Sequence, residues 1–335
     1  MKIGLRVPPC EALDVMADVA VEAERAGFDF IWVPDSQLIW RDLWATLGAM
    51  AIQTERVVLG SNVTNAVTRD ASVTAGAAAT IVEAAPGRFV LGIGVGDSSV
   101  RIMGKTPSHI SELRAYVEDT RRLLEGATLA GPAGKQYRLI EQPNGDVPIY
   151  ISATGPNMLQ LAGEIGDGVI FVGGLDEEAL AYAGENIAAG AERSGRSGDV
   201  LDMVVGCFCH IGDDSALGKL LMRPYAAVFA LRHPDLMGEF EISPPGEEKS
   251  LGFYPDLAHA QDWEAAIEQT SWLPEPVLDI FCDRYCLIGE GPEVLARVRE
   301  LGEMGVDSLY VRGVYSYRLP HDVLSGFAEH VIPFL

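Results

Sequence analysis

The sequence predicts a parallel (β/α)8 barrel of the TIM type, a single domain over 1–335 with an insertion at approximately 210–287 after the seventh strand. Three observations predict it. Eight short apolar segments alternate with stretches of helical period along the 335 residues. They are spread evenly, with no break in composition near mid-chain. No Gly/Pro/Ser-rich linker divides the chain into two units. An open, doubly wound sheet would also alternate strand with helix, but a count of eight favours the barrel.

The elements follow in order. Lys2–Val7 is an apolar first strand, and Glu11–Ala26 places Leu13, Met16, Ala17, Ala20 and Val21 on one helical face. Gly27 stands where a C-cap glycine belongs. Phe28–Val33 reads as a buried strand, and Asp42 caps a helix running to Gln53. Arg56–Gly60 is the third strand, and Asp70 opens a helix ending near Ala84 before Pro86-Gly87. Phe89–Ile93 and Ser108–Leu124 form the fourth unit. After a polar stretch from Gly126 to Asp146 come Pro148–Ser152 with Asn157–Ile165, then Gly168–Val172 with Asp176–Arg193. Val200–Cys209 is the seventh strand. The eighth is Ser308–Arg312, preceded by a helix from Glu293 to Met304 and followed by an amphipathic segment, Asp322–Val331. Residues His210–Leu287 are too long for a loop. They are read as the seventh helix plus an insertion, with helical pieces at Ala216–Leu231 and Asp262–Gln269 and an exposed turn at Ser243–Ser250.

Composition limits the function. Lys plus Arg number 25 against 48 Asp plus Glu, a formal charge of -23, so a nucleic-acid backbone or an anionic membrane would be repelled. No secretion signal and no apolar run of spanning length is seen, so a cytoplasmic protein is the expectation. Five cysteines in this length do not make a disulfide scaffold. Cys207 and Cys209, and Cys282 with Cys286, are read as packing residues. The histidines have no metal-site spacing, so no metal is expected. No nucleophile elbow or phosphate-binding P-loop is present.

In a barrel, chemistry sits at the carboxyl ends of the strands. That rule selects Arg6 after the first strand, Asp35 and Ser36 after the second, and Ser61, Asn62, Val63 and Thr64 after the third. It also selects Gly96-Asp97 after the fourth, Thr154-Gly155-Pro156 after the fifth and Gly173-Gly174 after the sixth. Pro156 suits a first helical turn whose free N–H groups can hold an anion, and Gly173-Gly174 allows close backbone approach. Asp35 could orient a cofactor, move a proton or cap a turn. His109 could act as a proton donor or cap its helix. Tyr225, Phe229, Phe253, Tyr254 and Trp263 either wall a pocket or pack the insertion, and Lys219 and Arg223 could lend it positive charge. Ala45, Ala49, Ala75, Ala78 and Ala79 suit close helix packing, within the chain or across a dimer.

Five segments together carry a resemblance: EAERAGFDFIWVPDS, TERVVLGSNVTNAVTRDASVTAGAAATI, GRFVLGIGVGDS, VPIYISATGPNMLQLAGEIGDGVIF and IGEGPEVLARVRELGEMGVDSLYV. In this order the chain resembles the bacterial-luciferase-like superfamily of flavin and deazaflavin enzymes. It looks most like the F420-dependent branch near the methylenetetrahydromethanopterin reductases. The resemblance implies a homodimeric barrel with coenzyme F420, or alternatively FMN, across its mouth. It implies a bulge with a non-proline cis peptide after the third strand, here Asn62–Val63, backing the ring. It places Asp35 against the ring region, Ser61, Asn62 and Thr64 beside it, and the phosphate near Thr154, Gly155, Pro156, Gly173 and Gly174.

Two positions depart from the pattern. Ser36 stands where many deazaflavin-binding relatives have His. Arg6 stands where the methanopterin reductases have Glu, which argues against a methanopterin substrate. Arg6 is then expected either to bind an anionic group of substrate or cofactor, or to pair with Asp35. The resulting expectation is an F420-dependent oxidoreductase passing a hydride to a C=C, C=N or C=O group of a small molecule, with Asp35 in the catalytic set and Arg6, Asp97 and His109 as proton-donor candidates. The alternatives are an FMN-dependent monooxygenase fed by a separate reductase, and a barrel that only binds a ligand.

Overall fold

Eight parallel strands close into a barrel in the computed structural model, which describes residues 1–131, 133–196, 201–243 and 252–335. They are β1 (Lys2–Arg6), β2 (Phe30–Val33), β3 (Val58–Ser61), β4 (Phe89–Gly94), β5 (Ile149–Ala153), β6 (Gly168–Phe171), β7 (Asp202–Ile211) and β8 (Ser308–Arg312). Each pairs with the next, and β8 closes on β1 with Lys2 opposite Ser308 and Arg6 opposite Arg312. The outer ring comprises α1 (Leu13–Ala26), α2 (Leu43–Gln53), α3 (Ala71–Ala84), α4 (Ile110–Leu124), α5 (Pro156–Ile165), α6 (Glu177–Arg193), α7 (Gly291–Glu303) and α8 (His321–His330). The barrel predicted from strand–helix alternation is therefore the observed one, with all eight strands found close to their predicted bounds.

Side-chain alternation splits the apolar residues into two cores. Outward residues such as Leu5, Ile31, Leu59, Leu91, Ile151, Val205 and Leu309 pack against the helices. Inward, Phe30, Trp32, Val90, Tyr150, Ile170, Val204 and Tyr310 fill the barrel. Phe30 and Trp32 stack with centroids 5.5 Å apart. This packing needs glycine on the facing strand: a Cβ at Gly60 would overlap the Trp32 ring.

The predicted helix signals are in place. Asp42 accepts from the Ala45 N–H at 3.0 Å and Asp70 from the Ser72 N–H at 2.9 Å. Gly27 ends α1 in the left-handed region, φ 93°. Ala75, Ala78 and Ala79 are buried within the chain, as intrachain packing of α3 requires. Cys207, Cys209, Cys282 and Cys286 are free and buried.

Two features differ from expectation. The ring helix between β7 and β8 is α7, not Ala216–Leu231. After β7 the chain builds helices Ser215–Leu231, Pro234–Glu239, Trp263–Gln269 and Glu275–Tyr285 around a separate core that includes Met222, Tyr225, Trp263 and Phe281. It then returns as a short strand, Cys286–Gly289, beside the far half of β7, and only then enters α7. The polar stretch before β5 contains a two-residue antiparallel hairpin, Leu129–Ala130 with Gln136–Tyr137. Most of the predicted turn at 243–250 lies outside the described residues, as does Val200. No described helix is long and apolar enough to cross a membrane.

One polar clamp outside the mouth supports a prediction. Glu24 on α1 accepts the backbone N–H groups of Glu55 (3.0 Å), Arg56 (2.6 Å) and Val57 (2.8 Å), which tethers α1 to the entry of β3. Burial alone would raise the Glu24 pKa, but these donors outweigh it and hold the carboxyl below its usual value. A carboxyl lowered on folding stabilises the fold above its unfolded pKa. That contribution is lost as pH falls through the folded value. Glu24→Gln is expected to cost about 1–2 kcal/mol at neutral pH. In urea unfolding the deficit should shrink at pH 3, and an unchanged deficit there would refute the charge-based account.

Candidate functional site

The turn leaving β2 is fixed by an ion-pair clamp. Asp35 is 4% exposed and accepts Arg69 Nε at 2.8 Å, Arg69 Nη2 at 2.9 Å and Thr64 Oγ1 at 2.8 Å. Arg69 reaches onward to Asp42 at 2.9 Å. Its hydrogen bonds to Asp35 make the Arg69 guanidinium hold its proton more firmly than usual. Asp35 therefore ties the second-strand turn to the segment after β3. The expected alternative of an Arg6–Asp35 pair is not what forms, because Arg69 occupies both carboxylate oxygens.

The segment after β3 has the expected bulge. The Asn62–Val63 peptide is cis, and Thr64–Asn65 then pairs with β4. Ser61 locks this segment to β4: its Oγ donates to the Gly92 carbonyl at 2.9 Å and accepts the Gly92 N–H at 2.8 Å. Gly92 and Gly94 leave space that the Val63 methyls approach, 3.1 and 2.9 Å from where a Cβ would stand. Asn65 Oδ1 accepts from the Val67 and Thr68 N–H groups, which shapes the turn into Arg69. Asn62 Nδ2 is buried next to the Tyr310 side chain and completes no well-formed hydrogen bond among the described residues.

Thr154, Gly155 and Pro156 stand where β5 meets α5, with Pro156 at the start of the helix. A Cβ at Gly155 would meet nothing within 4 Å, so the cradle in front of this helix end is open. Gly173 and Gly174 follow β6, and Gly174 has φ 141°. Arg284, from the last insertion helix, donates to the Gly173 carbonyl at 3.4 Å and lies 3.4 Å from Asp176. It brings a cation to the glycine pair, and nothing in the local sequence marks it.

Arg6 and Arg312 face inward side by side on β1 and β8. The Arg312 guanidinium lies 4.3 Å from the Phe208 ring centroid and 5.2 Å from that of Tyr225, whose hydroxyl it approaches at 3.3 Å. Arg6 lies 5.2 Å from the Trp40 centroid. Trp40 is held by its Nε1 donating to the Ser316 carbonyl at 2.6 Å. Burial, and then repulsion from Arg312, pull the Arg6 pKa down to about 9. Sequence reading selected Arg6, and Trp40 among the residues after the second strand, but missed Arg312 and Phe208.

The other candidates sit elsewhere. Asp97 is about half exposed, with Arg101 at 2.5 Å and Arg232 at 3.7 Å. His109 opens α4, its N–H bound to Glu112 at 2.8 Å, in a depression of about 580 Å³ that Arg69 and Tyr116 also line. Lys219 pairs with Asp279, and Arg223 with Glu275 and the Leu273 carbonyl, so both serve the insertion. Tyr225 and Trp263 contact each other with centroids 4.9 Å apart. Trp263 also lines a depression of about 850 Å³ with Tyr315 and Tyr317.

Comparison with known proteins places these features in a wider set. The profile of the luciferase-like monooxygenase family matches residues 2–308. The 5,10-methylenetetrahydromethanopterin reductase of Archaeoglobus fulgidus is 30% identical over 316 residues, covering 91% of each chain. The enzyme of the same name from Methanolobus tindarius is 28% identical over 319 residues, covering 92% of this chain and 93% of its own. Among solved structures, the coenzyme F420-dependent tetrahydromethanopterin reductase of Methanopyrus kandleri superposes with a TM-score of 0.78. It is 23% identical and covers 99% of this chain and 98% of its own, a likeness of fold.

Proposed function

The chain belongs to the luciferase-like monooxygenase family, in the branch that resembles the methylenetetrahydromethanopterin reductases, and on that premise we propose an F420-dependent oxidoreductase acting on a small organic substrate. The observation that carries the reading is the Asn62 amide. It is a buried donor that lies beside the Tyr310 side chain without completing a well-formed hydrogen bond, on the segment that the Asp35–Arg69–Thr64 clamp fixes. A deazaflavin carbonyl is an acceptor of the kind it lacks. The open helix end at Gly155 and the Arg284 cation beside Gly173-Gly174 suit the phosphate of the same cofactor.

When bound, reduced F420 supplies a hydride to an electrophilic C=C, C=N or C=O group. The protein holds and orients. Thr154, Gly155, Gly173 and Gly174 would hold the phosphate through backbone N–H groups, with Pro156 setting the first turn of the helix behind them. Ser61, Asn62, Val63 and Thr64 border the ring, and Asp35 is a positioning residue acting through Thr64. Trp40, Phe208 and Tyr225 supply apolar walls that keep water from the reacting pair. Of the three proton-donor candidates, Arg6 is the one on the inward face of the barrel.

Incubation with F420 and with FMN, followed by gel filtration and absorbance, tests the proposal. Retention of F420 is expected. Retention of FMN alone would overturn it and point to oxygen chemistry with reduced flavin. In the same assay Arg284→Gln should weaken F420 binding about tenfold, the equivalent of about 1.4 kcal/mol. Undiminished affinity would remove Arg284 from the phosphate site.

A further inference from the structure

We propose that Arg6 and Arg312 together form the receptor for a planar carboxylate carried by the substrate. The inference rests on the F420 reading only in taking the owner of that carboxylate to be the hydride acceptor.

The argument begins with register. Parallel pairing of β1 with β8 sets Arg6 opposite Arg312, and both point into the barrel. Phe208 on β7 stands opposite Arg312 and lies under its guanidinium. Trp40 plays the same part for Arg6. A guanidinium with its face on an aromatic ring directs its N–H edge sideways. Two such edges side by side present the flat, multiply donating array that a carboxylate matches better than a tetrahedral anion.

Among the described residues the site has no counter-charge. Among the described residues neither arginine forms an ion pair, although the chain carries 48 Asp and Glu against 25 Lys and Arg. Arg312 Nε is buried and finds no partner there. Enclosing two like charges without an acid costs stability, and an arriving anion relieves that cost. The lowered proton affinity of Arg6 reflects its burial first and the repulsion from Arg312 second. Both residues are half-buried at the carboxyl ends of their strands, where the barrel opens.

The acidic tail of the cofactor is a second source of carboxylate. The position argues for the substrate. The candidate phosphate residues follow β5, four strands from β1 and three from β8 around the closed barrel, and β6, two strands from β8.

The test is binding to the cofactor-free protein, read by tryptophan fluorescence and calorimetry. The probes are benzoate, benzamide and inorganic phosphate. Benzoate is expected to bind and benzamide is not. Arg6→Met and Arg312→Met should each weaken benzoate about tenfold or more by removing a charge-assisted contact. Arg122→Gln, which removes a surface partner of Asp119, should leave binding unchanged. Both methionine variants should melt no lower than the parent, since each relieves repulsion while keeping apolar bulk. A purely structural pair would instead lower the melting temperature, which would count against the proposal. Benzoate affinity untouched by both variants, or phosphate binding more tightly than benzoate at these arginines, would overturn it. So would mole-for-mole displacement of benzoate by F420. Failure of F420 to bind while benzoate behaves as expected would leave this site standing and reject the cofactor reading alone.

Discussion

Arg69→Met is expected to destabilise the protein by about 3–5 kcal/mol, because it strands a buried carboxylate. Asp35 has a side chain only 2% exposed, and Arg69 supplies two of its three hydrogen bonds. Thr64 alone cannot balance the charge. Urea unfolding should show the loss as an earlier midpoint with an unchanged slope. The companion variant Asp35→Asn removes the charge instead and should lose less. The double variant should recover much of the deficit of Arg69→Met, since the penalty belongs to the unpaired carboxylate. If the double variant is as unstable as the sum of the two single changes, the ion pair is not the source. F420 retention should fall with Arg69→Met as well, because Asp35, the acceptor that holds the Thr64 hydroxyl after β3, loses the ion pair that fixes it.

The barrel was legible because its signals are local. Apolar runs marked the strands, Asp42, Asp70 and Gly27 marked helix ends, and each lies within a few residues of what it controls. The site was legible only as a set of strand ends. Its interactions join distant residues: Arg69 meets Asp35 across 34 positions, Arg312 meets Tyr225 across 87, and Arg284 meets Gly173 across 111. No spacing rule links such pairs. Asp35 shows the difference. Its position after an apolar strand drew notice, yet its partner sits in the ordinary-looking run Thr68-Arg69-Asp70, where only the Asp70 cap was visible. The seventh ring helix was misplaced for a related reason. Ser215–Leu231 follows β7 and has helical period, and periodicity does not say which sheet a helix covers.

Gly92→Ala should damage the proposed cofactor site more than its size suggests. A Cβ at this position would overlap the carbonyl oxygen of Ser61 and lie 2.9 Å from Ile170 Cδ1 and 3.1 Å from Val63 Cγ1. The carbonyl cannot swing aside freely. Ser61 is bound to Gly92 through both of its hydroxyl hydrogen bonds, and the whole of β3 is in register with β2. Relief must come from β4 parting from the segment that carries Asn62, Val63 and Thr64. Forcing one methyl into such a packed position costs about 1–3 kcal/mol, and more where backbone must move. The melting temperature should therefore drop, and F420 binding should fall by about tenfold or more, the counterpart of about 1.4 kcal/mol. Gly155→Ala is the matched control, since a Cβ there meets nothing within 4 Å of the protein and should leave the melting temperature unchanged. If Gly92→Ala destabilises the fold yet F420 binds with full affinity, the ring does not lie against the segment after β3, and the site must be sought elsewhere on the mouth.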